Sequence, residues 1–169
     1  MTGSDPELVA FAEPPDGTMY VVTAAAADGA RAGCLVGFAS QCSIHPPRFV
    51  VWLSTANHTL RVAREASFLA VHVLGGDQRE LAELFGTECG ALVDKFARVP
   101  WRPSADGAPV LSEARAWFVG RIEQRMEDTG DHVGFLLAPV EQSPDRDAGP
   151  APRLLALRDV EELTPGHPA

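Results

Sequence analysis

GCLVGFASQCSI (residues 33–44), then His45-Pro46-Pro47, then FVVWL (residues 49–53) is the stretch on which the fold turns. The first run is rich in small and apolar residues. The two prolines end it, because proline cannot donate to a central strand ladder. FVVWL is a short, continuous apolar run and reads as a fully buried strand. Upstream, MYVVTAAA (residues 19–26) is β-branched at its centre, and Asp28-Gly29 supplies a hairpin turn signal. The opening third of the chain is therefore expected to be β throughout.

Downstream of FVVWL a helix is expected, capped by Asn57 or Thr55. Leu60, Ala63 and Ala66 form its apolar stripe, with Arg61, Arg64 and Glu65 facing solvent. FLAVHVL (residues 68–74) reads as the next buried strand, and Gly75-Gly76 releases the chain into a second helix. Asp77 is its expected N-cap, with Glu80 three residues on. Leu81, Leu84 and Phe85 form its apolar face, and Gly86 stands where a left-handed terminator belongs.

Residues 94–101 and 109–111 read as short elements around an exposed turn at Asp106-Gly107. Residues 114–126 alternate with period two. Ala116, Phe118, Gly120, Ile122 and Met126 share one face, and Arg115, Arg121, Glu123 and Arg125 the other. Thr129-Gly130-Asp131 turns the chain into HVGFLLAPV (residues 132–140), the expected antiparallel partner. Residues 143–152 form a Pro- and Asp-rich loop, and residues 154–157 suggest a last strand. About seven strands and two helices indicate a mainly β fold, a barrel with helices packed outside. A Rossmann fold is disfavoured, since no GxGxxG lies between an early strand and a helix.

The 169 residues argue for one domain: a polar leader over 1–17, the domain proper over 18–163, and a loose tail over 164–169. The hydrophobic fraction of 46% against 22% charged excludes wholesale disorder. A formal charge of −9 speaks against nucleic-acid binding, which depends on Lys and Arg neutralising phosphates. The first 15 residues carry Asp5, Glu7 and Glu13 and no basic region before an apolar run, unlike a signal peptide. No stretch approaches the roughly 18 apolar residues of a membrane helix. Three cysteines without CxxC spacing indicate neither a disulfide framework nor a zinc ribbon. A cytoplasmic location is expected. Cys34 and Cys42 lie an even number of residues apart, so both could face one side of a sheet near His45. Nothing else completes a ligand set, and no metal is expected.

Taken in order, MYVVTA, AGCLVGFASQCSIHPP, FVVWL, STANHTL, FLAVHVL, DQRELAELFG, DKFARVPW and GDHVGFLLAPVE resemble the flavin reductase-like family of FMN-binding split barrels. Each motif alone is weak, and their joint order and spacing carry the resemblance, which spans residues 19–141. It implies a dimeric Greek-key split β-barrel that binds FMN or FAD at the subunit interface, with NAD(P)H as co-substrate. Homodimerisation also suits a short chain rich in apolar strands. The implied activity is NAD(P)H:flavin oxidoreduction, either stand-alone or feeding a flavin-dependent monooxygenase partner.

The resemblance also assigns residues. Leu35, Val36, Gly37 and Phe38 occupy the segment whose backbone amides line the isoalloxazine ring. Ser54, Asn57 and Thr59 offer hydrogen bonds at a strand-to-helix junction, where a helix N-terminus favours phosphate. His58 and Lys95 add charge there, and Asp94-Lys95-Phe96 matches a segment near the cofactor. His132 matches a GDH motif beside the nicotinamide and flavin pocket, and is the candidate catalytic residue. On the residues alone, Asn57 and Thr59 equally suit the capping of a helix. His132 equally suits a turn histidine bonded to Asp131, Lys95 a solvated charge and Phe96 a core aromatic.

The chain departs from the family where small hydroxyl residues usually line the ring, since residues 35–38 carry none. His72 likewise stands where Asn is common. These departures keep a second reading open: a split-barrel protein that binds flavin, a deazaflavin or haem without reductase turnover.

Overall fold

The computed structural model describes residues 16–144 and 153–166. The leader up to residue 15, the end of the 143–152 loop and the last three residues of the expected tail lie outside the described residues. Nine strands follow in chain order: β1 (Tyr20–Ala25), β2 (Arg31–Val36), β3 (Ala39–Ser43), β4 (Arg48–Ser54), β5 (Phe68–Val73), β6 (Trp101–Pro103), β7 (Pro109–Leu111), β8 (Ala116–Met126) and β9 (His132–Gln142). Two helices, α1 (His58–Glu65) and α2 (Arg79–Thr87), flank β5 in sequence. The fold is mainly β with two helices.

Seven strands form one antiparallel sheet in the order β2-β1-β5-β8-β9-β4-β3, and β6 pairs with β7 in a small hairpin. The edge strands β2 and β3 are consecutive in the chain, joined only by Gly37 and Phe38. Laid flat, six strand spacings would separate these edges by about 29 Å, beyond the reach of two linking residues. The sheet must therefore curl until its edges approach, which makes it a half-closed barrel. The Phe38 carbonyl accepts a 2.9 Å hydrogen bond from Trp52 N–H on β4 at that seam.

The barrel interior is filled by Val22, Cys34, Val36, Val51, Leu53, Leu69, Val71, Phe135 and Leu137, with Leu60 and Ala63 of α1 closing one side. Full burial of each large aliphatic side chain contributes about 1.5–3 kcal/mol. On the other side of β1, Val21, Leu74, Leu81, Phe85, Phe96, Leu111 and Leu155 form a second core beneath α2. Its one buried imidazole is fully satisfied. His72 Nδ1 lies 2.9 Å from Val21 O, while Leu111 N–H donates to His72 Nε2 at 3.0 Å. Burial pushes this histidine down to about 4, so it stays neutral.

Several expectations are corrected. The extended run 33–44 breaks at Gly37-Phe38 into two strands on opposite sheet edges. Cys34 is therefore buried in the core and Cys42 exposed, not on one face. Asp77 does not cap α2, whose N-cap position is Gln78. The Gln78 side chain instead ties the junction together, accepting from Gly75 N–H and Arg115 N–H, each at 3.1 Å. Gly86 is helical rather than left-handed, and Leu35 packs 3.0 Å from where a Cβ would stand. On β8 the polar face is polar only in its second half. Trp117 and Val119 lie on it and are buried against Ala108 and Val110, at the β6–β7 hairpin. The expected last strand over 154–157 forms single bridges, Gly75 to Leu154 and Thr18 to Ala156, before a 3₁₀ turn at Leu157–Asp159.

Candidate functional site

The seam leaves a cleft of about 230 Å³ between the end of β2 and the end of β4. Leu35, Val36, Gly37 and Phe38 form one wall, and Trp52, Leu53 and Ser54 the other. Asn57, at the start of α1, and His132, at the start of β9, close the ends. Strand register brings these distant segments together. Ser54 pairs directly with His132, and Thr55 N–H reaches Asp131 O at 2.8 Å. The site is thus built where four elements begin or end, held by the sheet beneath.

The walls differ in what they offer. Neither Gly37 N–H nor Phe38 N–H has a hydrogen-bond acceptor among the described residues, so both donors are free at the strand break. The space a Gly37 side chain would occupy is taken by Met19, whose Sδ lies 3.2 Å from the ideal Cβ, on the core side. Phe38 is 63% exposed and leaves the cleft open, its ring leaning on His132 with centroids 5.1 Å apart.

His132 is oriented by its neighbour. Its Nδ1 lies 2.7 Å from Asp131 Oδ1, and that bond holds the Asp131 carboxyl below its usual range. Nε2 then has no partner among the described residues. At the helix end, Asn57 Oδ1 accepts Thr59 N–H at 2.9 Å and Ser54 Oγ accepts Ala56 N–H at 3.2 Å. Both side chains therefore organise the first turn of α1 while lining the cleft.

The remaining residues picked out in the sequence stand elsewhere. Thr59 is buried, with its hydroxyl against the Cys34 thiol, which burial pushes up to about 11. His58 and Lys95 border a shallow depression that shares Asn57 with the cleft. The Lys95 ammonium is buried and donates to Gly33 O at 3.0 Å and Phe85 O at 3.1 Å; burial lowers its pKa. Phe96 packs edge-on against Phe85 and Trp101 in the second core. Trp52 was not singled out from the sequence. Its place inside an apolar run gave no sign that it would line a ligand cleft.

Cys34 and His132 are the only titratable residues lining the cleft, and the thiol is held protonated. Among the described residues no Ser or Cys of the cleft is hydrogen-bonded to His132, and no carboxylate lines the cleft. Among the described residues no group of three His, Cys, Asp or Glu could hold a metal. The cleft offers amide donors, aromatic faces and one imidazole nitrogen, which suits holding a flat ligand better than acid–base hydrolysis. No helix among the described residues is long and apolar enough to cross a membrane.

The model of the family described as "Flavin reductase like domain" matches residues 16–164. A "Probable flavin reductase" of Rhizobium meliloti is 32% identical over 113 residues, 67% of this chain but 35% of that protein. The chain thus spans about a third of that relative's length. A Mycobacterium tuberculosis protein named "Flavin-dependent monooxygenase, reductase subunit HsaB" is 28% identical over 78% of this chain and 73% of its own. Among solved structures, an FMN-binding protein from Thermus thermophilus superposes with a TM-score of 0.74 at 23% identity, covering 83% of this chain and 77% of that one. The Streptomyces globisporus NADH:FAD oxidoreductase SgcE6 gives 0.68 at 24% identity, with 76% and 75% covered. At these identities the structural likeness speaks to the split-barrel fold.

Proposed function

The chain belongs to the flavin reductase-like domain family, and from that membership we propose that it is an NAD(P)H:flavin oxidoreductase acting on FMN or FAD. The observation that carries the reading is the cleft at the barrel seam, with two unpaired amides on one wall and the free Nε2 of His132 at its end. A flavin bound there would supply the hydride-accepting chemistry, the reductant being the nicotinamide coenzyme.

The residues present fit such a ring. Gly37 and Phe38 donate amide hydrogens to its polar edge, where negative charge develops on reduction. Leu35, Val36 and Trp52 exclude water from its apolar part. The phosphate is assigned to the start of α1, where Ser54, Asn57 and Thr59 hold the first turn and His58 adds a side-chain donor. Lys95 and Phe96 contribute from beneath, at the far side of the shallow depression. His132, its Nδ1–H donated to Asp131, holds the carboxamide end of the nicotinamide against the flavin, its Nε2 accepting from the carboxamide N–H as a positioning residue.

At about 230 Å³ the cleft is smaller than the roughly 300–1,000 Å³ of typical small-molecule sites. A second copy of the chain is proposed to supply the remaining wall in a homodimer. The name of HsaB supports delivery of reduced flavin to a monooxygenase partner as part of the same proposal. A cytoplasmic setting, where nicotinamide coenzymes are kept reduced, agrees with three free cysteines.

The lack of side-chain hydroxyls over residues 35–38 favours one alternative, a flavin, deazaflavin or haem binder without turnover. Flavin fluorescence titrated with protein, followed by NADH or NADPH consumption, separates the two. Quenching with flavin-dependent consumption is expected. Quenching without consumption, for both flavins and both coenzymes, would leave only the binding role. Sedimentation of the flavin-bound protein as a monomer would remove the dimer.

A further inference from the structure

We infer that the flavin cleft is one end of a longer groove whose other end is an adenosine subsite built on Arg31, so that the chain is matched to FAD rather than FMN. The inference rests on the flavin-binding reading above and adds the second half of the ligand. A larger cavity, about 410 Å³, lies at the opposite end of β2 from the flavin cleft. The two are linked along that free sheet edge. The shallow depression between them shares Asn57 with the cleft, and Gly90 and Lys95 with the large cavity. Its volume is about 10 Å³, so a ligand crosses over it rather than sinking into it. A pyrophosphate, which stays hydrated, suits such a crossing.

At the far end stands a guanidinium without an ionic task. Arg48, Arg64, Arg79, Arg98, Arg153 and Arg158 each hold a carboxylate. Arg31 holds none among the described residues, as is also true of Arg61, Arg102 and Arg125, but of these four it is Arg31 that lines the larger cavity. The acidic groups beside the groove are already engaged, Glu88 with Arg98 and Asp94 with Phe96 N–H. Arg31 instead sits over the Trp101 ring, its guanidinium carbon 4.6 Å from the ring centre and 5.9 Å from that of Phe96, which meets Trp101 edge-on. Packing on an indole pre-orders the plane of the guanidinium and leaves its other face and its N–H edge available. A planar base stacks on such a face, and a phosphate oxygen accepts from such an edge.

Length decides between the flavins. Arg31 and Phe38 are seven residues apart, up to about 23 Å along an extended strand. A mononucleotide ends at the phosphate, by the start of α1. Only a dinucleotide reaches on to Arg31.

The test is fluorescence titration of the wild-type protein and of Arg31→Ala and Arg31→Lys with FAD and with FMN, without nicotinamide coenzyme. Wild type is expected to bind FAD more tightly than FMN. Arg31→Ala should weaken FAD by about three- to tenfold and leave FMN unchanged. Arg31→Lys, which keeps the charge but not the plane, should recover only part of the loss. Arg31 is exposed, and an unchanged melting temperature excludes unfolding as the cause. Equal affinity for the two flavins overturns the inference while leaving the reductase reading intact. So does an Arg31→Ala variant with normal FAD affinity; a raised KM for NADH in a separate turnover assay of that variant would then assign the subsite to the coenzyme. Binding of neither flavin removes both readings together.

Discussion

The rings of Phe38 and His132 meet at the mouth of the cleft, their centroids 5.1 Å apart and their planes tilted by 54°. One is fixed and the other is free to turn. His132 is tethered through Nδ1 to Asp131, whereas Phe38 is pinned only by its carbonyl to Trp52 and is 63% exposed. A phenyl ring so placed swings onto a bound planar ligand at little cost. Aromatic pairs contribute about 0.5–1.5 kcal/mol beyond area burial, so Phe38→Ala should weaken flavin binding by about two- to tenfold. Its melting temperature should not change. Tighter flavin binding in that variant would mean that the ring obstructs the cleft.

His132→Ala separates flavin binding from turnover. His132 lines the cleft, its Nε2 has no partner among the described residues, and its ring makes no backbone hydrogen bond there. Turnover should fall by about two- to tenfold, the effect of losing one well-placed hydrogen bond to a neutral group. Flavin affinity should change far less. Parallel losses in both would remove the nicotinamide-side role.

His72 makes stability depend on pH. In the unfolded chain it titrates near 6.5, and in the folded protein near 4. Between those values the unfolded state binds a proton that the folded state refuses, so stability rises with pH across that window. It is complete above about 6.5, falls as the pH drops towards 4 and then levels off. The difference amounts to up to about 3 kcal/mol. Urea unfolding at pH 7.5 and pH 5.0 should show it, and His72→Asn should flatten the slope between the two even where it lowers both midpoints.

Local sequence carried the strands of the barrel through short apolar runs bounded by turn signals, such as FLAVHVL and FVVWL, although FVVWL reads as fully buried and only its Val51 and Leu53 are. It could not carry what distant segments impose. Trp117 and Val119 fall, by alternation, on the charged face of β8, and only the small β6–β7 hairpin makes that half of the face interior. Asp77 looked like a helix cap, yet Gln78 is held by bonds to Gly75 and Arg115, the latter 37 residues away, and the helix begins after it. In the site, Phe38, Ser54, Asn57 and His132 converge because strand pairing joins their segments, which motif order had suggested. Nothing local marked Trp52 as a cleft residue or Arg31 and Trp101 as a packed pair. Lys95 illustrates the limit most clearly: its charge suggested a phosphate, while its burial against two carbonyls is a property of the folded chain alone.

Lys95→Met tests which of those roles dominates. The ammonium satisfies Gly33 O and Phe85 O in a buried setting, bridging β2 to α2. A thioether fills similar space but donates nothing, leaving two buried carbonyls short of a partner. The loss should be about 3 kcal/mol in urea unfolding. A variant of unchanged stability but poor flavin affinity would instead make the ammonium a ligand group.

Gly120 and Gly134 face the same kind of crowding with opposite consequences. A Cβ on Gly120 would stand 2.7 Å from Leu137 Cβ, an atom fixed to the backbone of the adjacent strand and fully buried. Nothing there can swing aside, so Gly120→Ala must spread β8 from β9, at about 1–3 kcal/mol. A Cβ on Gly134 would meet Met126 Cε and Trp52 Cζ3, each at 2.6 Å, and both are far ends of side chains. These can move, so the stability loss should be smaller. Trp52, however, also lines the cleft proposed for the flavin, so a shift of its indole is expected to disturb that wall. Gly134→Ala is therefore expected to lower flavin affinity more than it lowers the urea midpoint, and Gly120→Ala to do the reverse. The same order in both measurements would mean that Trp52 is not part of the binding wall.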